Sequence, residues 1–260
     1  MKPIRTAAAL LIAAWAGSSM AADAGAAKTV DPQAVKALET MGSYLRSLPR
    51  FALSADTTTD FVDDNGQALQ FARHAEMQVV RPNRLKASVS GEQGTRSMYF
   101  DGKTFTLYGS QHNFYASAPA PKTIGELVGD IADKYGIETP LADLFYWGSD
   151  PDQGKELTAA RAVGEERIGD ATCTHYAFRK PGTDWQLWIR KGAQPLPCKL
   201  VITATDIEAR PQHAVRFNWQ TQPSFGNDVF SFKPPKDAKR IAFARNEASK
   251  PASAKPSAKQ

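Results

Sequence analysis

The chain has 260 residues, of which 42% are hydrophobic and 23% are charged, and its formal net charge is +5. This composition is that of a folded globular protein, and after the N-terminal segment no apolar run has the length of a membrane-spanning helix. The excess positive charge lies at the two ends of the chain, because the segment from Ala22 to Pro235 holds 23 basic and 25 acidic residues. Such a near-neutral body argues against nucleic-acid binding.

The first 21 residues have the pattern of a secretory signal peptide. Lys2 and Arg5 precede an apolar run over residues 7–16, and small residues end at Ala21. We therefore expect cleavage near Ala21 and a soluble periplasmic protein that begins at or next to Ala22. No cysteine lies beside this site to accept a lipid anchor, and we do not expect an integral membrane protein.

The mature chain is predicted to begin with an amphipathic helix. Asp31 is a suitable N-cap, Pro32 suits the first helical position, and Leu38, Met41 and Leu45 recur at helical spacing. Apolar residues then recur at every second position, which predicts successive antiparallel strands around residues 51–55, 75–79, 85–89, 98–100 and 105–107. Turns at Asn65-Gly66 and Asp101-Gly102 are typical of tight hairpins.

A helical insert interrupts the strands. Thr123 and Glu126 form a predicted capping box, and Gly136 is placed to end the helix. A second turn follows that carries Leu144, Phe145 and Trp147. We expect this insert to act as a lid over the sheet, with Phe145 and Trp147 reaching toward a ligand and away from a permanently packed core.

Further strands are predicted around residues 167–169, 173–179, 185–190, 199–205 and 215–221. Cys173 and Cys198 are the only cysteines, and an oxidising compartment favours a disulfide between them, with two buried free thiols as the alternative. If both flank a middle strand, a bulge or corner is needed to bring them within bonding range. Phe230 and Phe232 are candidates for a last edge strand.

The segment rich in alanine, serine, proline and lysine at the C-terminus is typical of a disordered tail. We therefore divide the chain into a signal peptide (1–21), a single half-barrel domain (22–241) and a disordered basic tail (242–260). The predicted fold class is mainly β (α+β): a curved antiparallel sheet forming an incomplete β-barrel, with an N-terminal helix and the helical lid insert.

Two paired segments resemble a known family. Arg81-Pro82-Asn83 and Asp101-Gly102-Lys103 match elements in the paired strands of the periplasmic lipoprotein carrier LolA. The whole chain is more similar still to a family of predicted periplasmic proteins in the LolA/LolB-like lipoprotein-carrier superfamily. Further matching segments are Ala118–Pro121, Asp184–Trp188 and Leu196–Leu200. The resemblance implies a half-barrel with a helical lid over a hydrophobic cavity.

The residues that could carry catalysis or bind metal do not form a recognisable site. The four histidines, His74, His112, His175 and His213, share no metal-ligand spacing, and Glu165-Glu166 lack a catalytic partner. No nucleophile elbow or phosphate-binding glycine loop is present. We therefore expect a non-enzymatic protein without cofactor or metal.

Large apolar residues predicted to face one side of the sheet, together with those on the insert, are the candidate ligand-binding residues, with Arg81 at the rim. They are Phe51, Leu53, Met77, Val79, Leu85, Phe100, Phe105, Leu107, Leu144, Phe145, Trp147, Trp185, Leu187, Phe217 and Trp219. The set predicts a carrier or sensor for a hydrophobic or acylated ligand, such as a lipid or lipoprotein. The alternative is a module that binds an envelope or membrane protein on the same sheet without lipid.

Overall fold

The computed structural model describes residues 29–137, 139–147, 154–226 and 228–245, so the predicted signal peptide and most of the predicted tail lie outside it. The helices are α1 (Pro32–Ser47), α2 (Ile124–Tyr135) and α3 (Asp143–Tyr146). The strands are β1 (Thr29–Val30), β2 (Arg50–Val62), β3 (Ala68–Val80), β4 (Arg84–Gly91), β5 (Gly94–Phe100), β6 (Thr104–Gly109), β7 (Phe114–Pro119), β8 (Ala159–Ile168), β9 (Ala171–Lys180), β10 (Thr183–Arg190), β11 (Pro197–Ala204), β12 (Gln212–Gln220) and β13 (Lys239–Arg240).

All of these strands belong to one curved sheet. Its order is β1-β8-β9-β10-β11-β12-β2-β3-β4-β5-β6-β7-β13, so the two ends of the sheet do not pair and the barrel stays open. The two-residue strands β1 and β13 pair in parallel with β8 and β7, and the other pairs are antiparallel. The predicted fold class, an incomplete antiparallel barrel with an N-terminal helix and a helical insert, is confirmed.

Helices α1 and α2 begin as the sequence predicts. Asp31 is the N-cap of α1, where its carboxylate accepts a hydrogen bond of 2.8 Å from the Gln33 amide, and Pro32 occupies the first turn. Thr123 and Glu126 form the complete capping box of α2. Gly136 ends α2 with a φ of 63°, a left-handed conformation that glycine adopts without the strain of a side chain.

The apolar faces of the two helices pack on the concave side of the sheet. Leu38, Met41 and Leu45 of α1 and Leu127 and Ile131 of α2 are buried in one core with the inward-facing strand residues. No described helix has the length and apolar character needed to cross a membrane.

Cys173 and Cys198 form a disulfide across the end of β10, with Cα atoms 6.8 Å apart. The register between β10 and β11 shifts at this point, because Lys199 lies opposite Trp188 whereas Pro197 lies opposite Ile189. Cys198 of β11 is the extra residue of this bulge. It approaches Cys173 of β9, which lies opposite Arg190 of β10. The predicted disulfide is confirmed, together with the bulge that it requires.

Residues 228–245 are here called the strap. The prediction of an edge strand at Phe230 and Phe232 in this segment is wrong. Residues 228–230 form a turn, and Phe232 packs on the outer side of the sheet against Tyr99, Tyr108 and Tyr115, with ring centroids 5.1–5.6 Å apart. Aromatic contacts with three strands therefore hold Phe232, and the edge position beside β7 is taken by β13.

Candidate functional site

One end of the concave side is filled by side chains. The strand register places Phe51, Val79, Leu85, Phe100 and Phe105 in a row across β2 to β6, each opposite the next. All five are at least 98% buried, since α1 and α2 cover them. We call this the packed end.

The other end of the same strands is open. Here Thr57, Arg73, Val89, Arg96 and Phe114 project from the concave side and line a cavity of about 990 Å³, called the large cavity. The loop that follows α2, at Gly136, Ile137 and 139–141, borders it, and residues 241–244 of the strap border it on the β7 side. The half-barrel is therefore filled at one end and hollow at the other.

The wall of the large cavity is apolar in its depth and cationic at its mouth. Its apolar lining includes Ala75, Ala87, Val89, Met98, Leu107, Ala116, Ile137, Leu141, Ile241 and Phe243. Arg73 and Arg96 contribute guanidinium groups, and no aspartate or glutamate is found among the described lining residues.

A smaller cavity of about 300 Å³ lies on the side of β11 and β12 and shares Thr139, Leu141 and His213 with the large cavity. Thr139 is 95% buried, and its hydroxyl has no hydrogen-bond partner within the described ranges. His213 Nδ1 lies 2.7 Å from the Thr59 hydroxyl. The junction of the two cavities thus presents one buried hydroxyl that is available to a bound molecule.

Most of the predicted ligand-binding residues lie in the core. Leu107 lines the large cavity, and Leu144, Trp147 and Phe217 line the small one. The others pack away from both cavities: Phe51, Leu53, Met77, Val79, Leu85, Phe100, Phe105, Phe145, Trp185, Leu187 and Trp219. Phe145 of the insert is 92% buried and packs in the core, whereas Trp147, which is 93% buried, borders the small cavity.

Arg81 lies inside the packed end. Its guanidinium carbon is 6.0 Å from the ring centroid of Phe51 and 5.7 Å from that of Phe145, and Nη2 donates to the Leu45 carbonyl oxygen at 3.4 Å. Burial, together with the nearby charge of Arg46, lowers the pKa of Arg81 below its usual range. A second arginine, Arg46, binds the end of the insert: its Nη1 donates a hydrogen bond of 2.8 Å to the backbone carbonyl oxygen of Trp147.

The strap turns around the β7 edge and enters the concave side. Lys239 and Arg240 pair with β7, and the Ile241 amide donates to the Tyr115 carbonyl at 2.8 Å. Phe243 then packs between Phe105 and Tyr135, with both pairs of ring centroids 4.8 Å apart. Phe243 lies two residues beyond the predicted domain boundary, in a stretch that composition assigns to the tail.

Arg73 and Arg96 are not among the ligand-binding residues predicted from the sequence. A signal for them exists, since Arg73 continues the alternating series of Ala75, Met77 and Val79, and Arg96 continues that of Met98 and Phe100. A charged residue in line with buried positions indicates the point where the covered part of a strand ends.

Among the described residues no group of three or more metal-ligating side chains is found.

The comparisons with known proteins give partial and fold-level likenesses. Aspartate–tRNA(Asp/Asn) ligases of Mycobacterium leprae are 31% identical over 78 residues, which is 28% of this chain; the chain spans 13% of the length of these relatives. Among solved structures, an uncharacterized conserved protein from Thermus thermophilus aligns with a TM-score of 0.44 and 12% identity over 81% of this chain and 99% of that protein.

Two further solved structures align with this chain. The Mycobacterium tuberculosis lipoprotein LppX aligns with a TM-score of 0.47 and 10% identity over 75% of this chain and 98% of that one. A LolA superfamily protein from Nitrosomonas europaea aligns with a TM-score of 0.34 and 8% identity over 76% and 97% of the two chains.

The model of a family described as predicted periplasmic protein (DUF2092) matches residues 34–244. The chain therefore belongs to this family of periplasmic proteins, as its sequence motifs predict.

Proposed function

We propose that this protein is a periplasmic carrier or sensor that binds the acyl chain of a hydrophobic or acylated ligand in the open end of its half-barrel. The observation that carries the proposal is the large cavity of about 990 Å³, whose depth is lined by aliphatic and aromatic side chains. Cavities of this size and character are typical of small-molecule sites.

The energetics favour an acyl chain. Each methylene group buried from water contributes about 0.8 kcal/mol, so a long chain gains affinity from apolar contact alone. The wall is built from residues on the adjacent strands β2 to β7, among them Val89, Met98, Leu107 and Ala116, which the sheet holds in place. Binding then requires little ordering of the protein.

The ligand would enter between the loop after α2 and the part of the strap that follows its pairing with β7. The loop after α2 borders both cavities, and the strap borders the large one. Four of the ligand-binding residues predicted from the sequence line a cavity, and we assign them to ligand contact. They are Leu107, Leu144, Trp147 and Phe217. The Thr139 hydroxyl, which has no hydrogen-bond partner among the described residues, is available for a hydrogen bond to a polar group of the ligand.

Native mass spectrometry of the protein purified from an envelope fraction tests the proposal, because a bound lipid appears as a discrete added mass. A cavity-filling variant gives the structural control. Val89→Trp places an indole in the large cavity, whereas Ser88→Trp, on the same strand, places it on the opposite side of the sheet.

We expect Val89→Trp to abolish the added mass and to prevent the binding of Nile red and of palmitate. In Ser88→Trp the added mass and both affinities should be unchanged. Absence of any lipid mass together with failure of the native sequence to bind Nile red or palmitate would rule out the carrier.

One observation favours the interaction module as a second candidate. The β2–β3 hairpin extends beyond the cavity and carries Phe61, Leu69 and Phe71 on the concave side, with exposed fractions of 61%, 39% and 36%. Photo-crosslinking in the periplasm from a probe at Phe61 tests this candidate. A discrete protein adduct that is lost in a Leu69→Ser and Phe71→Ser variant supports it, and absence of an adduct excludes it.

A further inference from the structure

Two arginine side chains lie at the mouth of the large cavity. Arg73 on β3 is two residues from Ala75, which lies opposite Val89 on β4, and Val89 lies opposite Arg96 on β5. Inward-facing residues alternate along each strand, so both arginines are on the concave side at the same end of the sheet. Both line the large cavity and both are exposed.

A glycine on the intervening strand allows Arg73 to lie across it. A Cβ atom at Gly91 would be 3.2 Å from Cγ and 3.9 Å from Cδ of Arg73, so a side chain at position 91 would displace the aliphatic part of the arginine. Strands β3 and β5 are two strand spacings apart, about 10 Å. Two long side chains that approach from either side of β4 can therefore bind one small group between them.

Neither guanidinium group is neutralised by a carboxylate of the described residues. Within the described ranges no carboxylate oxygen lies at ion-pair distance from Arg73 or Arg96, and the described cavity lining contains no acidic residue. Arg179 gives the contrast on another surface, where Nε lies 2.6 Å from a carboxylate oxygen of Asp184. The mouth of the large cavity thus has unbalanced positive charge above an apolar wall.

We propose that the ligand is an anionic amphiphile, whose acyl chain packs against Val89, Met98 and Leu107 and whose carboxylate or phosphate binds between Arg73 and Arg96. This inference rests on the proposed function and narrows it to one class of ligand. The guanidinium group binds carboxylates and phosphates through paired N–H donors, so either headgroup suits the site. A neutral lipid leaves both cations without a counter-charge.

Competition between matched ligands tests the inference, with Nile red as the displaced probe. Palmitate and cetyl alcohol share a chain and differ in the charge of the headgroup; phosphatidylglycerol and phosphatidylcholine make the same comparison for phosphate lipids. In low salt we expect the native protein to bind palmitate about tenfold more tightly than cetyl alcohol, as two exposed ion pairs allow. A stronger preference within the phospholipid pair than within the palmitate pair would identify phosphate as the natural headgroup.

The variant Arg73→Gln with Arg96→Gln should lose the preference, because palmitate binding falls about tenfold while cetyl alcohol binding changes by less than about twofold. Arg50→Gln with Arg84→Gln is the matched control: it removes two positive charges from exposed strand positions that alternate with buried Phe51 and Leu85. Circular dichroism verifies that each variant is folded.

Two results overturn the inference while the carrier function stands: equal affinity of the native protein for palmitate and cetyl alcohol, or an equal loss of both in the double variant. Failure of the native protein to bind any of the four amphiphiles refutes the carrier function itself. Loss of palmitate binding that is also seen in Arg50→Gln with Arg84→Gln would assign the effect to overall charge and not to the site.

Discussion

Phe243 of the strap stacks on Phe105 of β6, with ring centroids 4.8 Å apart and the ring planes inclined by 21°. This contact brings the strap into the concave side and makes Phe243 part of the large-cavity wall. The strap therefore both closes the β7 edge and limits the volume of the cavity.

Phe243→Ala should enlarge the cavity and strengthen palmitate binding, while it lowers the free energy of unfolding by less than the about 3–5 kcal/mol of a fully buried phenylalanine. Phe232→Ala is the control, since Phe232 is also half-buried in the strap but packs on the outer side. We expect it to lower stability without changing the affinity measured by Nile red displacement. Equal effects of the two variants on palmitate affinity would show that Phe243 does not limit the volume of the cavity.

Arg46→Ala should loosen the insert. The hydrogen bond from Arg46 to the Trp147 carbonyl joins α1 to the end of the insert, and its removal leaves that carbonyl without this donor. Hydrogen exchange measured by mass spectrometry is expected to become faster in peptides covering residues 139–147 and to stay unchanged in β4 and β5. Lys36→Ala, at an exposed position of the same helix, should leave exchange in the insert unaffected.

Phe145→Ala should lower the free energy of unfolding by about 3–5 kcal/mol, because the ring is packed in the core beside Arg81. The sequence alone predicts a smaller loss, since it places this ring toward the ligand. Tyr146→Ala, at the neighbouring and 46% exposed position, is expected to cost about 1 kcal/mol or less. Urea unfolding distinguishes the two values, and a small loss for Phe145→Ala would favour a mobile insert.

His175 should make the protein less stable at acidic pH. Burial against Trp188 lowers the pKa of His175 from its ordinary value of 6.5, so below about pH 6.5 the unfolded chain takes up protons more readily than the folded protein. The stabilising contribution is complete above this pH and declines as the pH falls toward the folded pKa. His175→Gln should flatten the dependence of the urea midpoint on pH between about 8 and 5, and an unchanged pH dependence in this variant would contradict the assignment to His175.

Removal of the disulfide by Cys173→Ser with Cys198→Ser should destabilise the protein by about 3 kcal/mol, the chain-entropy value for a loop of this size. The bond closes a sequence separation of 25 residues. Differential scanning calorimetry of the native and double-variant proteins measures the loss, and peptide mapping without reductant verifies the bond. An unchanged unfolding temperature would contradict this contribution of the bond to stability.

Local patterns predicted much of the fold. The Thr123 capping box, the Asp31 N-cap and the Gly136 stop involve residues a few positions apart, so their chemistry is visible in the sequence. Alternation also identified the concave side, because a strand exposes every second residue to the same side. It gave no information on which end of that side α1 and α2 would cover, and for this reason Phe51 and Val79 were predicted as ligand contacts although they lie in the packed end.

The residues that were missed depend on long-range contacts. Phe243 lies in a segment whose composition resembles a disordered tail, and its partners Phe105 and Tyr135 are more than 100 positions earlier in the chain. Arg73 appears in the sequence as an ordinary exposed strand residue, since its relation to Arg96 arises only when β3, β4 and β5 are aligned in register.

The two terminal strands restrict how this protein can meet other chains. An open sheet has two edges at which a foreign strand can add through backbone hydrogen bonds. Here β13 covers part of the β7 edge, and β1 covers the start of β8. Along the rest of β8 the register shift between Ala162 and Gly164 and the charged residues Glu165, Glu166 and Arg167 oppose regular pairing. Aggregation by edge-to-edge stacking is thereby discouraged, although the barrel never closes.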